Sequence, residues 1–195
     1  MTNKLFFVTG NKSKFLTAKK YFEDVGIEIS QVDLDINEGR SPSVEQVAIE
    51  KAKQAFEKIK KPLIVEDSGF VINSLKNFPG TYIKFILSTI SIQGILKLID
   101  NNRECYFRSV IAYSDENGNI ITFILDEPGR IALKPSENEK INAWSDLWKI
   151  YIPEGFDKPL NDLNDEEYEK FNKVYDNISN FKKLSVFLKE KHFIN

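Results

Sequence analysis

Residues 5–14 read Leu-Phe-Phe-Val-Thr-Gly-Asn-Lys-Ser-Lys. The first four form a continuous apolar run, which is typical of a strand buried on both faces of a sheet. Thr9, Gly10 and Asn11 interrupt that run, and a helical pattern follows to about Glu23. Backbone N–H groups at the start of such a helix, beside a glycine that allows close approach, form an anion site. The spacing of a P-loop is absent, so this segment alone is equally compatible with an ordinary tight turn.

The rest of the chain continues this alternation of strands and helices. Further strands are predicted at 27–32, 62–66, 104–113, 120–125, 129–133 and 148–152. Helices are predicted at about 43–60, 81–90, 92–98, 165–172 and 178–191. Asp115-Glu116-Asn117-Gly118 predicts a hairpin turn. Strands and helices alternate in the first part of the chain, and a meander of strands follows. This order indicates an α/β fold with a mixed sheet and flanking helices.

Composition limits the class of protein. The chain has 195 residues, is 42% hydrophobic and carries 15 Phe, enough for one core in a single domain folded as two lobes about a cleft. A net charge of -2 disfavours a general nucleic-acid binder. The apolar run after Lys4 is too short for a signal-peptide core or a membrane span, so we expect a cytoplasmic protein without membrane association.

Two single residues exclude other chemistries. Cys105 is the only cysteine, which excludes an intrachain disulfide and a zinc site built on thiolates. His192 is the only histidine and is the fourth residue from the end. A Ser-His-Asp or Cys-His mechanism would therefore depend on a frayed terminus, and we do not expect one.

The helix that begins near Ser43 carries a lysine on its apolar face. At about 100° per residue, that face holds Val44, Val47, Ala48, Ala52, Ala55 and Ile59. Lys51 falls within the same arc, whereas Lys53, Lys58 and Lys60 lie towards or beyond its edges. A lysine aimed inwards either extends its ammonium group to solvent or meets an anion.

Glu66-Asp67-Ser68-Gly69 follows a predicted buried strand. Neighbouring strand residues point to opposite faces, so we expect only one of the two carboxylates to enter a given cleft. A carboxylate at this position is suited to hold a metal or orient a water, and an Asx-turn at Asp67 is the structural alternative. Glu38 is a possible second carboxylate. Mg²⁺ commonly joins one or two carboxylates to substrate phosphates, and phosphoryl-type displacement depends on positioning and charge neutralisation.

Several short motifs occur in a fixed order along the chain. They are Val8-Thr9-Gly10-Asn11-x-x-Lys14, Val65-Glu66-Asp67-Ser68-Gly69-Phe70, Phe78-Pro79-Gly80-Thr81-Tyr82, Cys105-Tyr106-Phe107-Arg108, Pro128-Gly129-Arg130-Ile131 and Ile152-Pro153-Glu154-Gly155. Together they resemble the inosine/xanthosine triphosphate pyrophosphatase family. The resemblance covers the first two-thirds of the chain well and the last third poorly. It implies an elongated mixed sheet, two lobes about a deep cleft, and a homodimer.

The resemblance also implies residue roles. The triphosphate would be bound by Thr9, Gly10, Asn11, Lys14, Lys51 and Ser68. Glu38 and Asp67 would hold Mg²⁺, and Asp67 would activate the attacking water. Lys14 and Lys51 would be catalytic residues together with Asp67. The implied reaction is hydrolysis of a purine nucleoside triphosphate to the monophosphate and pyrophosphate, which removes unusual nucleotides from the precursor pool.

The segments implied to recognise the base depart from the family pattern. Ala143-Trp144-Ser145-Asp146-Leu147-Trp148-Lys149 replaces the base-binding segment, and either Asp146 or Trp148 takes the place of the family's aspartate. Trp144 or Trp148 is suited to stack a base, and core packing is the structural alternative for each. The late Lys-Asn-x-x-Ser-His-Arg motif survives only as Tyr175 to Phe181, in which Ser179 and Asn180 remain as candidate substrate contacts. The family's acidic residue after Lys14 is Thr17 here.

These departures leave three functional hypotheses. The first is a Mg²⁺-dependent pyrophosphatase for a purine triphosphate, whose base need not be that of inosine because the loss of polar contacts changes base selectivity. The second is a nucleotide-binding or regulatory module with weak catalysis. The third is a relative that acts on modified pyrimidine or methylated nucleotides.

Overall fold

The computed structural model describes residues 4–37, 39, 41–140 and 143–191. Glu38 and His192 lie outside the described residues. The strands are β1 (Lys4–Val8), β2 (Glu28–Val32), β3 (Leu63–Ile72), β4 (Pro79–Gly80), β5 (Glu104–Ser114), β6 (Ile120–Ile131) and β7 (Tyr151–Pro153). The helices are α1 (Lys12–Glu23), α2 (Val44–Ile59), α3 (Ile83–Leu98), α4 (Asp165–Ile178) and α5 (Asn180–Glu190).

The strands form one mixed sheet in the order β2-β1-β3-β5-β6-β7, with β4 paired to β3. β1 runs parallel to β2 and to β3, whereas β3–β4 and β6–β7 are antiparallel pairs. This confirms the predicted α/β class with a mixed sheet. No described helix combines the length and apolar character that a membrane crossing requires.

The described residues divide into two compact units. The first contains those up to Ser68, from Ser109 to Leu125 and from Asn177 onwards, and the second contains Gly69–Arg108 and Asp126–Asp176. The cleft implied by the family resemblance, and the description of the whole chain as a single domain, stay predictions.

The core of the first unit has two layers, one on each face of its strands. One layer packs α1 and α5 over the sheet through Phe7, Phe22, Ile64, Phe181 and Leu184. The other packs α2 through Val8, Ala48, Ala52, Leu63 and Val65. The small alanines of α2 let this helix lie close to the strands, and alternate residues of β3 serve the two layers. The helix face predicted for α2 is confirmed.

The second unit has its own core. It is built around aromatic and aliphatic side chains that include Phe70, Ile95, Trp148, Tyr151 and Leu160. α3 is interrupted at Ser91, whose φ of 57° lies in the left-handed region. The break separates two helical segments at the position that the sequence predicts.

Several element boundaries differ from the sequence predictions, and the three clearest differences concern strands. β3 does not end at the Asp67-Ser68-Gly69 segment but continues to Ile72, because residues 70–72 are buried and Phe70 pairs with Gly80. β6 is one strand through Pro128 and Gly129, not two. Trp148 lies in a 3₁₀ helix at Asp146–Lys149, and the last strand begins only at Tyr151.

Candidate functional site

The turn between β1 and α1 is held by its own polar side chains. Asn11 caps the helix, and its side-chain oxygen accepts hydrogen bonds from the backbone N–H groups of Ser13 (2.9 Å) and Lys14 (3.1 Å). The Asn11 N–H donates to Thr9 Oγ1 at 3.1 Å, and Gln31 Nε2 donates to the Thr9 carbonyl at 2.8 Å. An Asn at this position satisfies two of the N–H groups that a helix start leaves without partners. The predicted turn at a helix start is therefore confirmed in the first unit.

Gly10 allows a close approach within this turn. A Cβ atom at Gly10 would lie 3.2 Å from Oδ1 and 3.3 Å from Oδ2 of Asp33. Any larger residue would require that carboxylate to move. The turn therefore keeps a compact backbone surface beside the first turn of α1, which has no acidic residue.

The two carboxylates of β3 occupy opposite faces of the strand. Ile64 belongs to the layer under α1 and α5, whereas Leu63 and Val65 belong to the layer under α2. Strand alternation therefore directs Glu66 towards α1 and α5, and Asp67 towards α2. Each carboxylate has a lysine partner from the helix on its own side.

Asp67 pairs with Lys51 of α2. The Lys51 ammonium donates to Asp67 Oδ1 at 2.9 Å, and the two side chains are only 14% and 17% exposed. Burial raises the pKa of Asp67 above its ordinary value, and the charge and hydrogen bond of Lys51 oppose that increase. Of the two possibilities for an inward-facing lysine, Lys51 takes the second and meets an anion.

Glu66 pairs with Lys14 of α1. Its side chain is 6% exposed, and its Oε1 accepts a hydrogen bond of 2.8 Å from the Ser109 hydroxyl. Its Oε2 forms an ion pair with the Lys14 ammonium and has no other polar partner among the described residues. The same ammonium lies 3.5 Å from Ser68 Oγ. The charge of Lys14 also acts on Asp67, so both ion pairs belong to one electrostatic cluster.

The first unit thus brings together most of the predicted triphosphate and catalytic residues. They are Thr9, Gly10, Asn11, Lys14, Lys51, Asp67 and Ser68. Glu38 lies outside the described residues, so its role in metal binding stays a prediction. The described residues contain no group of three or more His, Cys, Asp or Glu arranged to hold a metal. Asp67 offers the hard oxygen donor that Mg²⁺ prefers, and this ion commonly takes only one or two carboxylates.

The predicted base-binding residues Trp144, Asp146 and Trp148 belong to the second unit. Trp148 is 4% exposed and packs in the core of that unit, whereas Trp144 is 68% exposed. The Trp144 ring lies against Phe107, with a centroid distance of 5.3 Å. Asp146 is exposed in the first turn of the 3₁₀ helix. Trp144 is therefore the more accessible indole, and the substrate roles of all three stay predictions.

Ser179, Asn180 and Phe181 are buried inside the first unit. Phe181 packs its ring edge-on against Phe7, at 5.8 Å between centroids. Asn180 is fully buried, and its side-chain amide donates to the carbonyl (3.2 Å) and the hydroxyl (3.0 Å) of Ser109. Ser179 Oγ is buried without a hydrogen-bond partner among the described residues. Their contacts with a substrate remain predictions.

Sequence reasoning missed Glu66 as a partner of Lys14, and it missed Ser109 altogether. Strand alternation contained part of the signal, since it assigns Glu66 to the α1 side of β3. No sequence spacing links Ser109 to Glu66, because they lie 43 residues apart. Only the pairing of strands brings them into contact.

The family model described as "Ham1 family" matches residues 5–184. The chain belongs to the Ham1 family. The match extends through α4 and into α5, and so includes the C-terminal segment where the individual motifs are weakest.

Named relatives and solved structures agree with this membership. A dITP/XTP pyrophosphatase of Methanopyrus kandleri is 40% identical over 166 residues, which cover 84% of this chain and 86% of the relative. A protein of the same name from Thermococcus kodakarensis is 38% identical, with coverage of 84% and 87%. A HAM1 protein structure from Coxiella burnetii has the same fold, with a TM-score of 0.78, 22% identity and coverage of 96% and 98%.

Proposed function

We propose that this chain hydrolyses a purine nucleoside triphosphate to the monophosphate and pyrophosphate in a magnesium-dependent reaction. The observation that carries the proposal is the cluster of two ion pairs, Lys14–Glu66 and Lys51–Asp67, beside the capped start of α1. A triphosphate needs several donors and cations in one place, and this cluster supplies them within one compact unit. The similarity to proteins named dITP/XTP pyrophosphatase supports the reaction type. The enzyme would thereby remove unusual purine nucleotides from the nucleotide pool.

The contacts among these residues support the proposed roles. The turn at Thr9, Gly10 and Asn11 and the ammonium of Lys14 face the triphosphate, and Lys51 adds a second cation near Asp67. Ser68 lies close enough to Lys14 to share the same phosphate oxygens. The Lys14 ammonium has three N–H donors, so it can hold the Glu66 carboxylate and still donate to a phosphate.

Asp67 is proposed to orient the attacking water and, with Glu38, to hold Mg²⁺. The ion would neutralise the charge of the polyphosphate and polarise its oxygens. A carboxyl group whose pKa is raised by burial is a stronger base once it is ionised, which suits it to accept a proton from water. Lys51 keeps that carboxylate oriented through its 2.9 Å hydrogen bond.

A catalytically weak nucleotide-binding module is the second candidate. The interior positions of Asn180 and Phe181 favour it, because neither offers the polar base contacts of the family motif. The same positions support a base other than that of inosine, including a modified nucleotide. Trp144 belongs to the second unit and its indole is exposed, and its role as a stacking surface for a base stays a prediction from the sequence.

We further propose that the protein is a cytoplasmic homodimer that does not bind nucleic acid. Phe85 and Leu98 on α3 are 64% and 51% exposed, and we propose that a second copy of the chain covers these apolar side chains. The nearly balanced charge of -2 disfavours nucleic acid as a partner.

A nucleotide panel tests the proposed reaction. Pyrophosphate and orthophosphate release would be measured with ITP, XTP, dUTP, N6-modified purine triphosphates and the four common dNTPs, with and without Mg²⁺. We expect pyrophosphate from at least one purine triphosphate. Orthophosphate as the only product would exclude the proposal, and nucleotide binding without turnover would favour the second candidate.

The Asp67→Asn variant tests the assigned residue. We expect kcat to fall by about 10²–10⁴-fold, because the variant loses a base and a charged oxygen ligand. Asp24→Asn is the matched control, because Asp24 is exposed at the end of α1. Equal losses in the two variants would contradict the role of Asp67.

A further inference from the structure

A chain of side-chain contacts runs from the interior of the first unit to Lys14. Asn180 Nδ2 donates to Ser109 Oγ at 3.0 Å, and Ser109 Oγ donates to Glu66 Oε1 at 2.8 Å. Glu66 Oε2 forms the ion pair with the Lys14 ammonium. These four residues come from α5, β5, β3 and α1, so the chain of contacts joins elements that are far apart in sequence.

The orientation of the Asn180 amide is determined by backbone groups. Besides Ser109 Oγ, its NH₂ group donates to the carbonyls of Ser109 (3.2 Å) and Phe123 (3.4 Å). A carbonyl oxygen only accepts hydrogen bonds, so rotation of the amide would place three acceptors against one another. The amide therefore presents its donors to Ser109.

The orientation of the Asn180 amide determines which way the Ser109 hydroxyl donates its hydrogen. The hydroxyl has one hydrogen to donate and accepts through its lone pairs. Because Asn180 supplies a donor to the oxygen, the hydrogen of Ser109 is directed to Glu66. The carboxylate of Glu66 is 6% exposed, and a buried charge needs both a counter-ion and hydrogen bonds to remain in place.

We infer that Asn180 and Ser109 are positioning residues that hold Lys14 at the phosphate site by fixing Glu66. Lysine has a flexible stem with four carbons, and its ammonium group needs acceptors to fix its direction. Glu66 and Ser68 lie beside two sides of that group and leave its remaining donor for a phosphate oxygen. This inference rests on the proposed function for the role of Lys14, and it gives Asn180 a task that involves no contact with the base.

The Ser109→Thr and Ser109→Val pair tests the chain of contacts. Both variants add the same bulk, but only Thr keeps the hydroxyl. The probe is inorganic tripolyphosphate, and its Kd would be measured by isothermal titration calorimetry. We expect the Kd of the Ser109→Thr variant for tripolyphosphate to lie within about 2-fold of the wild-type value. The Ser109→Val variant should bind roughly 10-fold more weakly, because it loses one hydrogen bond to a charged group.

A double-mutant cycle separates positioning from general damage. In a Lys14→Met background, the difference between Ser109→Thr and Ser109→Val should disappear, because the contacts act only through Lys14. Asn180→Ala should weaken binding in the same direction and should also have no further effect in that background. Ser185→Ala, which removes a buried hydroxyl bonded to the Lys182 carbonyl, controls for loss of a buried hydroxyl in this unit.

The inference fails if Ser109→Val binds tripolyphosphate as tightly as Ser109→Thr, or if their difference persists without Lys14. Absence of tripolyphosphate binding by the wild type would also overturn it. These affinities do not require turnover. A wild type that binds tripolyphosphate but releases no pyrophosphate from any nucleotide would contradict the proposed reaction and leave the positioning result intact.

Discussion

The ammonium nitrogen of Lys51, on α2, lies 2.9 Å from Oδ1 of Asp67, on β3. Both side chains are largely withdrawn from solvent, at 14% and 17% exposure. Burial raises the pKa of Asp67, and Lys51 is the largest influence that opposes the increase. The pair therefore carries both a functional prediction and a stability prediction.

Lys51→Met should lower both stability and activity. It leaves the Asp67 carboxylate buried without its counter-ion, which typically costs about 1–3 kcal/mol for a partly buried group. Lys53→Met is the matched control, because Lys53 is exposed on the same helix. Urea unfolding at pH 7 measures the free energy, and pyrophosphate release measures activity. Similar free energies for the two variants would contradict the structural role of Lys51.

Asp67 should make stability depend on pH. Its folded pKa is raised above the ordinary value of 3.8, so the folded state holds a proton that the unfolded state releases. Stability from this group is therefore present at low pH and is lost as pH rises through the raised folded value. The free energy of unfolding of Asp67→Asn minus that of the wild type should increase with pH from about 4 upwards and then level off. A difference that stays constant with pH would exclude the raised pKa.

Glu127 should add a second pH dependence, in the other unit. Burial raises its pKa from 4.5 to about 7, and a hydrogen bond with Tyr151 opposes the increase. Folding stability from this group is lost as pH rises from 4.5 to about 7. The Glu127→Gln variant should not show this loss. The expected difference in the free energy of unfolding is up to about 3 kcal/mol, because each unit of pKa shift corresponds to about 1.4 kcal/mol.

Denaturant unfolding at several pH values measures the effect of Glu127. Glu28→Gln is a suitable control, because the Glu28 side chain is 70% exposed. If the Glu127→Gln curve runs parallel to that of the wild type between pH 4.5 and 7, the carboxyl group is not protonated in the folded state.

Phe181 should act as a core residue. It is 5% exposed and its ring lies near Phe7, Tyr21 and Phe22, at centroid distances of 5.8, 6.3 and 6.5 Å. Phe181→Ala should therefore reduce the free energy of unfolding by about 3–5 kcal/mol. Phe85→Ala should change it little, because Phe85 is 64% exposed. Calorimetric unfolding of the two variants measures these free energies. A small change for Phe181→Ala would contradict the assignment of Phe181 to the core.

Local patterns predicted the parts of the fold that depend on neighbouring residues. The apolar run before Gly10 and the inward face of α2 follow from periodicity and turn chemistry, and the structure confirms both. The structure also contains the predicted division of α3 at Ser91. The predictions failed where pairing with another strand decides the outcome. β3 passes through Asp67-Ser68-Gly69 because the residues after Gly69 pair with β4 and are buried. The apolar run Phe70-Val71-Ile72 is a local strand signal, but the polar residues and glycine before it made the segment resemble a strand end.

The sequence by itself determined the α/β class, the turn at Gly10 and the inward direction of Lys51, because 3.6-residue and two-residue periods assign side chains to faces. Tertiary structure alone decided which charges meet. Glu66 joins Lys14 and Ser109, and Asp67 joins Lys51, because β3 lies between helices that approach from opposite faces of the sheet. It also decided that Phe181 fills the core, since burial depends on the aromatic rings that α1 and β1 bring around it.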